Sequence, residues 1–277
     1  MTVSIFIQTL NEEKNLPACL DSVAWADDIH VLDSFSTDGT ERICRQRGVH
    51  FYQRKYEGRG PHQNWAMQNI PWKYPWVFYL DADEHMTPPL RDEIRAIAAD
   101  PAERRVAFWC GRKNFFRGKW LRFSMPPGHI MRFFKPPHIR FERLANPVPV
   151  VDGPVGYLRN HFLHYNFSKG LAEWIERHNR YSTYEAIETL KALRNRPLRP
   201  ANLLSPDPMT RRLELKNLSF RLPARPLLKF LYMYLLRGGF LDGGPGLTYC
   251  TLQAFYEYLI VQKVTELRRI ERGLPGS

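Results

Sequence analysis

Trp76–Glu84, WVFYLDADE, decides how the rest of the chain is read. The run WVFYL is the apolar, aromatic and β-branched composition of a strand buried on both faces. It delivers Asp81 and Asp83 into a turn, with Glu84 and His85 behind them. In extended backbone, residues i and i+2 point to the same side, so past the strand end these carboxylates can converge on one cation. Oxygen donors suit a hard divalent ion such as magnesium or manganese, which shares its shell with phosphate oxygens. A diphosphate leaving group needs such an ion because its charge grows as the bond breaks. The bland alternative is an acidic turn that stays solvated. Against it, a buried strand rarely ends in a carboxylate cluster without a partner.

The same pattern extends upstream. VSIFIQTL (3–10) reads as a buried strand and NEEKNLPACLDSVAWA (11–26) as a helix, with Asn11 as N-cap and Glu12 and Glu13 in its first turn. DIHVLDS (28–34) and VHFYQRK (49–55) are further strands; STDGTERICRQRG (36–48) is a turn leading into a helix, and PHQNWAMQNI (61–70) is another helix. Alternation of this kind predicts an α/β fold with a mostly parallel sheet covered by helices on both faces. Ligands of such sheets bind beyond the carboxyl ends of the strands, the edge that carries the acidic groups after the second and fourth strands. Asp33 closes the second strand and can accept a hydrogen bond from a base N–H. Asp38, in the turn after it, reads as a helix-capping structural residue.

After PPLRDEIRAIAAD (88–100) the character changes. RVAFWCGRKNFFRGKWLRF (105–123) and HIMRFFKPPHIRFERL (129–144) are aromatic, basic and hairpin-like. SKGLAEWIERHNRYSTYEAIETLKAL (168–193) is a long helix, followed by a Pro- and Arg-rich stretch, 194–226, and apolar segments to the C-terminus. Lys and Arg outnumber Asp and Glu by 40 to 28, a balance of +12 that favours polyanions: nucleic acid, phosphorylated substrates or anionic lipid. Four scattered cysteines lack metal-site spacing and read as small buried hydrophobes of a reducing compartment. The opening MTVSIFIQTLNEE reads as a strand, not a signal peptide, and no run reaches the ~20 apolar residues of a spanning helix. The expected location is cytoplasmic.

QTLNEEKNL, VLDSFSTDGT and VFYLDADE, in this order, resemble the family 2 glycosyltransferases, whose fold is GT-A. GKWLRF, RFERL, HFLHYNFSKGLAEWIERHNRYS and RGGFLDGGPG resemble a narrower group, the bacterial lipopolysaccharide inner-core β-1,4-glucosyltransferases. One departure is that Phe141-Glu142 stands where that group often has His-Glu. The resemblance implies a glycosyltransferase domain over 1–190, with a nucleotide half (1–95) and an acceptor half (96–190), and a basic, amphipathic helical extension over 191–277. It implies an inverting, Mn2+- or Mg2+-dependent transfer of a hexose, foremost glucose, from a UDP-sugar. The acceptor would be a lipid-linked envelope glycan, with a polyprenyl-linked or capsule acceptor as the near alternative. Thr9, Leu10, Glu12 and Asp33 would hold the nucleoside, Asp33 reading uracil N3–H. Gly60, Gln63 and Asn64 would close over the nucleotide. Asp81 would hold ribose and metal, and Asp83 the metal directly.

Inversion needs a base on the face opposite the leaving group. Glu142, after an aromatic strand, is the expected base, with partial burial raising its pKa; the competing readings are a surface ion pair with Arg140 or Arg143, and Glu84 as base. His164 is either a third metal ligand or structural, and His161 is a weaker candidate. Lys119, Arg122 and Arg132 could bind diphosphate or acidic acceptor groups, although each alone also reads as a solvated charge. LLKFLYMYLL (227–236) and the last helix could meet an anionic membrane surface at the inner face of the inner membrane, or form a homo-oligomer. A sugar nucleotidyltransferase would carry a Gly-rich loop after its first strand, where QTLNEEKNL has no glycine. A nucleic-acid binder would show a helix-turn-helix, zinc-finger or RRM signature, and none is found.

Overall fold

The computed structural model describes residues 3–126, 128–142 and 147–275. They form two compact units, Met1–Phe115 with Pro126–Ser168, and Phe116–Met125 with Lys169–Ser277.

In the first unit β1 (Val3–Thr9) pairs in parallel with β2 (Ile29–Asp33) and β4 (Trp76–Asp81), and β2 with β3 (His50–Gln53). The register sets Thr9 opposite Asp33 and Gln8 opposite Asp81, so these strands end on one edge. Helices α1 (Leu16–Ser22), α2 (Thr40–Gln46), α3 (Arg59–Asn69) and α4 (Pro88–Ala99) connect them. Side-chain alternation along β1 builds both layers. Ile5 and Ile7 pack with Leu16, Leu20, Cys44, Leu90 and Ile94 of α1, α2 and α4, while Phe6 packs with Ala66 and Met67 of α3. That double burial is why these strands are continuously apolar.

The other half of the sheet is mixed. β5 (Glu84–His85), β6 (Ala107–Phe116), β8 (His129–Phe134) and β11 (Val155–His164) complete the order β3-β2-β1-β4-β8-β6-β11-β5, while β7 (Lys119–Trp120) belongs to the second unit. β8 runs antiparallel to both β4 and β6, the hairpin-like arrangement expected, while β6 and β11 are parallel. β9 (Ile139–Glu142) and β10 (Val148–Val151) form a separate antiparallel pair. The antiparallel contact of β11 with β5 sets His164 opposite Glu84, bringing a distant segment against the DAD turn.

Two boundaries differ from the sequence reading. The first helix begins at Leu16, with Pro17 in its first turn, not after Asn11. Asn11 adopts a left-handed φ of 55°, and its side-chain oxygen accepts the Thr37 N–H at 2.8 Å, so it ties two loops together and caps no helix. The division of the chain falls at 168/169, not at 190/191. Its physical reason is α5 (Leu171–Asn195), whose Ala186 and Leu190 bury against Ile260 and Val264 of the last helix, α8 (Gly243–Glu271).

The second unit is helical. The Pro- and Arg-rich stretch contains α6 (Pro208–Ser219), N-capped by Asp207, and α7 (Arg225–Leu231) follows. Glu257 sits among aromatic residues on α8 because Arg225 pairs with it in a nearly buried contact. Asp242 accepts the Arg122, Phe123 and Ser124 N–H groups at 2.7–3.0 Å, which fixes the KWLRFS segment. Among the described residues no helix is long and apolar enough to cross a membrane.

Candidate active site

β4 ends in a buried charge cluster. Asp81 Oδ2 accepts from Arg59 Nη2 at 2.7 Å and Arg132 Nη2 at 2.8 Å, and Oδ1 accepts from the Tyr79 hydroxyl at 2.5 Å. Arg132 Nη2 also donates to Glu84 Oε1 at 2.6 Å, while Glu84 Oε2 accepts the Asp81 N–H at 2.9 Å. Burial pushes the Asp81 carboxyl up, but the two guanidiniums outweigh it and hold the group well below the usual carboxylate range. Glu84 has no exposed surface, and burial raises its pKa against the opposing pull of Arg132. Desolvation pushes the Tyr79 phenol up to about 12, so it stays a donor. The Tyr79 oxygen also lies 2.8 Å from one end of the Gln8 amide, whose other end is buried without a partner. The atom facing Tyr79 is Gln8 Oε1, and Gln8 Nε2 is the buried end without a partner, so one phenol hydrogen serves two acceptors, Asp81 and Gln8.

Asp83 lies on the far side of the turn and faces His164, Oδ2 to Nε2 at 3.4 Å. The His164 Nδ1 meets Asn114 Oδ1 at 2.8 Å. That oxygen accepts, so Nδ1 carries a proton and the ring is held with Nε2 facing Asp83. The Asp83 carbonyl accepts the Tyr165 N–H at 2.9 Å, which fixes the approach of β11. A carboxylate and an imidazole oriented by a second polar group make a donor set that fits Mn2+ or Mg2+. Asp81 does not complete a preformed three-ligand set, because its carboxylate is turned to Arg59 and Arg132.

The expected nucleoside residues gather on the same edge. Asp33 is fully buried and accepts from Thr9 Oγ1 at 2.8 Å, from the Ser36 N–H at 2.8 Å and from Ser36 Oγ at 2.5 Å. These bonds preform the loop and commit most of the carboxylate locally. Asp38 accepts the Glu13 and Thr40 N–H groups, each at 3.0 Å, a structural role as expected. Leu10 is half exposed, and Glu12 accepts from Asn15 Nδ2 at 2.7 Å.

Gly60, Gln63 and Asn64 lie on α3, whose first turn takes in Gly60. Gly60 and Gln63 are buried, with Gln63 Oε1 lacking a hydrogen-bond partner. Asn64 departs from the expected nucleotide contact. Its Nδ2 donates to the Phe141 carbonyl at 2.9 Å and its Oδ1 accepts the Phe141 N–H at 2.7 Å, so both ends of the amide are spent on β9. Asn64 thus fixes the residue before Glu142. Glu142 itself is exposed and pairs with Arg140 at 3.3 Å, which corrects the expected partial burial. On a β9 whose alternate residues are exposed, that carboxylate faces solvent; Arg143, the other pairing candidate, lies outside the described residues.

Arg132 is the clearest correction among the cations. With 1% of its side chain exposed it is a counter-ion inside the fold, stacked 4.2 Å from the Tyr79 ring centroid, and not a phosphate contact at the surface. Lys119 and Arg122 are exposed residues of the second unit, Arg122 lying over the Trp120 and Phe123 rings. His161 packs its ring against Gly111, where an added Cβ would stand 2.4 Å from it. Arg59 and Asn114 escaped the sequence reading. Arg59 precedes the expected contact Gly60, a usable signal. Asn114 pairs with His164 only through the β6–β11 register, which leaves no local trace.

A family model described as Glycosyl transferase family 2 matches residues 4–150. The chain is 24% identical over 287 residues to a Rickettsia typhi protein described as the uncharacterized glycosyltransferase RT0209, an alignment covering 99% of this chain and 90% of that protein. It is 25% identical over 205 residues, 69% of this chain and 73% of the other, to the lipopolysaccharide core biosynthesis glycosyltransferase LpsC of Rhizobium meliloti. Among solved structures, S. aureus TarS 1–349 in complex with UDP-GlcNAc is similar at a TM-score of 0.48 and 14% identity, over 99% of this chain and 93% of that one. Mycobacterium tuberculosis glucosyl-3-phosphoglycerate synthase, in complex with Mn2+, UDP and glucosyl-3-phosphoglycerate, is similar at 0.32 and 23% identity, over 42% of this chain and 44% of that one.

Proposed function

The chain belongs to glycosyl transferase family 2 and is built on the GT-A fold, and from that premise we propose that it moves a hexose, foremost glucose, from a UDP-sugar to a hydroxyl of a lipid-linked envelope glycan, with inversion. The observation that carries this reading is Asp83 facing the Asn114-oriented His164 at the carboxyl edge of the parallel strands. Those two side chains, with Asp81 beside them, would hold Mn2+ or Mg2+. That ion would supply positive charge to the departing diphosphate. Thr9, Ser36 and Asp33 shape the nucleoside loop, and Gln63, with its orphaned carbonyl oxygen, is a buried acceptor on α3.

Glu142 takes the proton from the acceptor hydroxyl. Its exposure supports this over Glu84, which is buried and spent on Arg132 and the Asp81 N–H. An exposed carboxylate is open to an incoming acceptor hydroxyl, which a base must reach within hydrogen-bond distance.

The lipopolysaccharide core function named for LpsC supports an inner-core acceptor, with polyprenyl-linked and capsule glycans as alternatives. Exposed Leu204, Leu227, Leu228, Leu235 and Leu236, with Arg211, Arg212 and Arg237 in the same unit, support peripheral attachment at the cytoplasmic side of the inner membrane. A second copy of the chain is the other occupant those residues would accept. The test is a panel of UDP-, GDP- and dTDP-sugars with Mn2+, read by calorimetry and by slow donor hydrolysis. UDP-sugars should bind and hydrolyse, Asp83→Ala should abolish the metal-dependent part, and Glu142→Gln should keep donor binding but lose transfer. Preference for another nucleotide, or transfer persisting in Glu142→Gln, overturns the corresponding assignment.

A further inference from the structure

At the opposite, amino-terminal end of the same parallel strands lies a cluster that the glycosyl transfer does not use. His30 of β2 and His50 of β3 are partners across the strand pair, their rings stacked at 4.7 Å. Asp28 is two residues before His30, so its side chain emerges on the same face. Asp28 Oδ1 lies 2.9 Å from His30 Nε2 and 3.9 Å from His50 Nε2, and the three ligand atoms all fall within 4.8 Å of one another. We propose that Asp28, His30 and His50 form a second, transition-metal site, suited to Zn2+, that fastens the edge strand β3 to the sheet.

Four observations carry it. First, Asp28 is a nearly buried carboxylate whose other partners among the described residues are neutral donors, Ser4 Oγ and the Lys73 N–H; the Lys73 ammonium goes to Asp27. A buried anion without a cation is costly, and a divalent ion answers that need. Second, a plain hydrogen bond accounts for His30 but not for His50. The latter side chain is 60% exposed, yet it turns Nε2 toward the same oxygen at a distance too long for a hydrogen bond. Third, adjacent ligands around a tetrahedral ion with bonds of about 2.0–2.1 Å stand about 3.3 Å apart, between the two distances seen, so small side-chain rotations close the set. Fourth, His30 Nδ1 lies 3.3 Å from the Tyr52 hydroxyl. When Nε2 ligates, the imidazole proton moves to Nδ1 and is accepted by the Tyr52 oxygen, the outer partner that metal-bound histidines require.

Two nitrogens and one carboxylate oxygen select Zn2+, Co2+ or Ni2+ over Mg2+. The site is distinct from the Asp83 edge: along β2, three residues from His30 to Asp33 span about 10 Å.

The test uses the full chain, stripped of metal, with UDP and excess Mg2+ present. Co2+ is titrated and followed by its visible d–d absorption, and Zn2+ is measured by displacing it. One equivalent should bind with the intense spectrum of a four-coordinate ion. His50→Ala, a surface change, should weaken binding at least 100-fold while UDP affinity stays unchanged. Tyr52→Phe should weaken it about 10–100-fold, and Asp83→Ala should leave it intact. Absence of stoichiometric binding, binding unaltered in His50→Ala, or binding lost in Asp83→Ala instead would each overturn the proposal.

Discussion

Arg132→Met removes the cation that pairs with Glu84 and leaves Asp81 with Arg59 alone. The methionine stem fills much of the arginine's volume beside Tyr79 and Phe162, so the cavity term is small. What remains is electrostatic. Glu84 is fully buried, and breaking a buried pair from one side costs about 3–5 kcal/mol. The cost should fall at the lower end, about 3 kcal/mol at neutral pH, because Asp81 keeps a partner and Glu84 can take up a proton. Arg132 also buries Nε and Nη1 without partners, so the intact cluster carries its own penalty. Removing both charges with Arg132→Met/Glu84→Gln should therefore recover about 1–3 kcal/mol relative to the single change. The sign with pH follows. Loss of the guanidinium raises the folded pKa of Glu84 further above its unfolded value, so the defect is greatest at high pH and shrinks as pH falls into the carboxylate range. Hydrogen exchange of β4 and β8 amides measures this in the first unit by itself. A loss under about 1 kcal/mol, additive effects in the double variant, or a defect that grows on acidification would refute the argument.

Asn64→Ala frees the Phe141 backbone from both amide bonds; transfer should fall while UDP affinity holds, measured by kcat against donor Kd. Asn114→Ala releases the His164 ring, and the Mn2+ requirement should rise about 10–100-fold in a metal titration of donor hydrolysis. Burial holds His62 neutral with a pKa down to about 4, so the protein should lose stability as pH falls from about 6.5 to about 4, a slope that His62→Gln flattens in chemical denaturation. An added Cβ on Gly246 would stand 2.3 Å from the Gly239 carbonyl, so Gly246→Ala should lower the thermal stability of the second unit by calorimetry.

The parallel half of the sheet was readable because β1, β2 and β4 are buried on both faces, which leaves apolar runs, two of them with acidic ends. The DAD turn was readable for the same reason. The start of α1 was not, because Asn11, a good N-cap by type, spends its oxygen on Thr37 across a separation that no local rule covers. The break at 168/169 was hidden because α5 has an ordinary amphipathic pattern whose partner, α8, lies far along the chain. Asn64 and Asn114 were misjudged or missed because an amide's role is set entirely by what it faces, and here both partners come from strands distant in sequence.

The cations make the same point at the site itself. Arg59 and Arg132 both donate to Asp81 Oδ2, at 2.7 and 2.8 Å, and composition treats them as equal members of a basic surface. Arg59 keeps 40% of its side chain exposed, on the first turn of α3, whereas Arg132 keeps 1%. Both bond the same oxygen, but only Arg132 also bonds Glu84, so only its loss strands a second, fully buried carboxylate. Charge at the end of β4 is thus balanced by one wholly buried cation and one at the rim, and a sequence reading has no means of ranking the two.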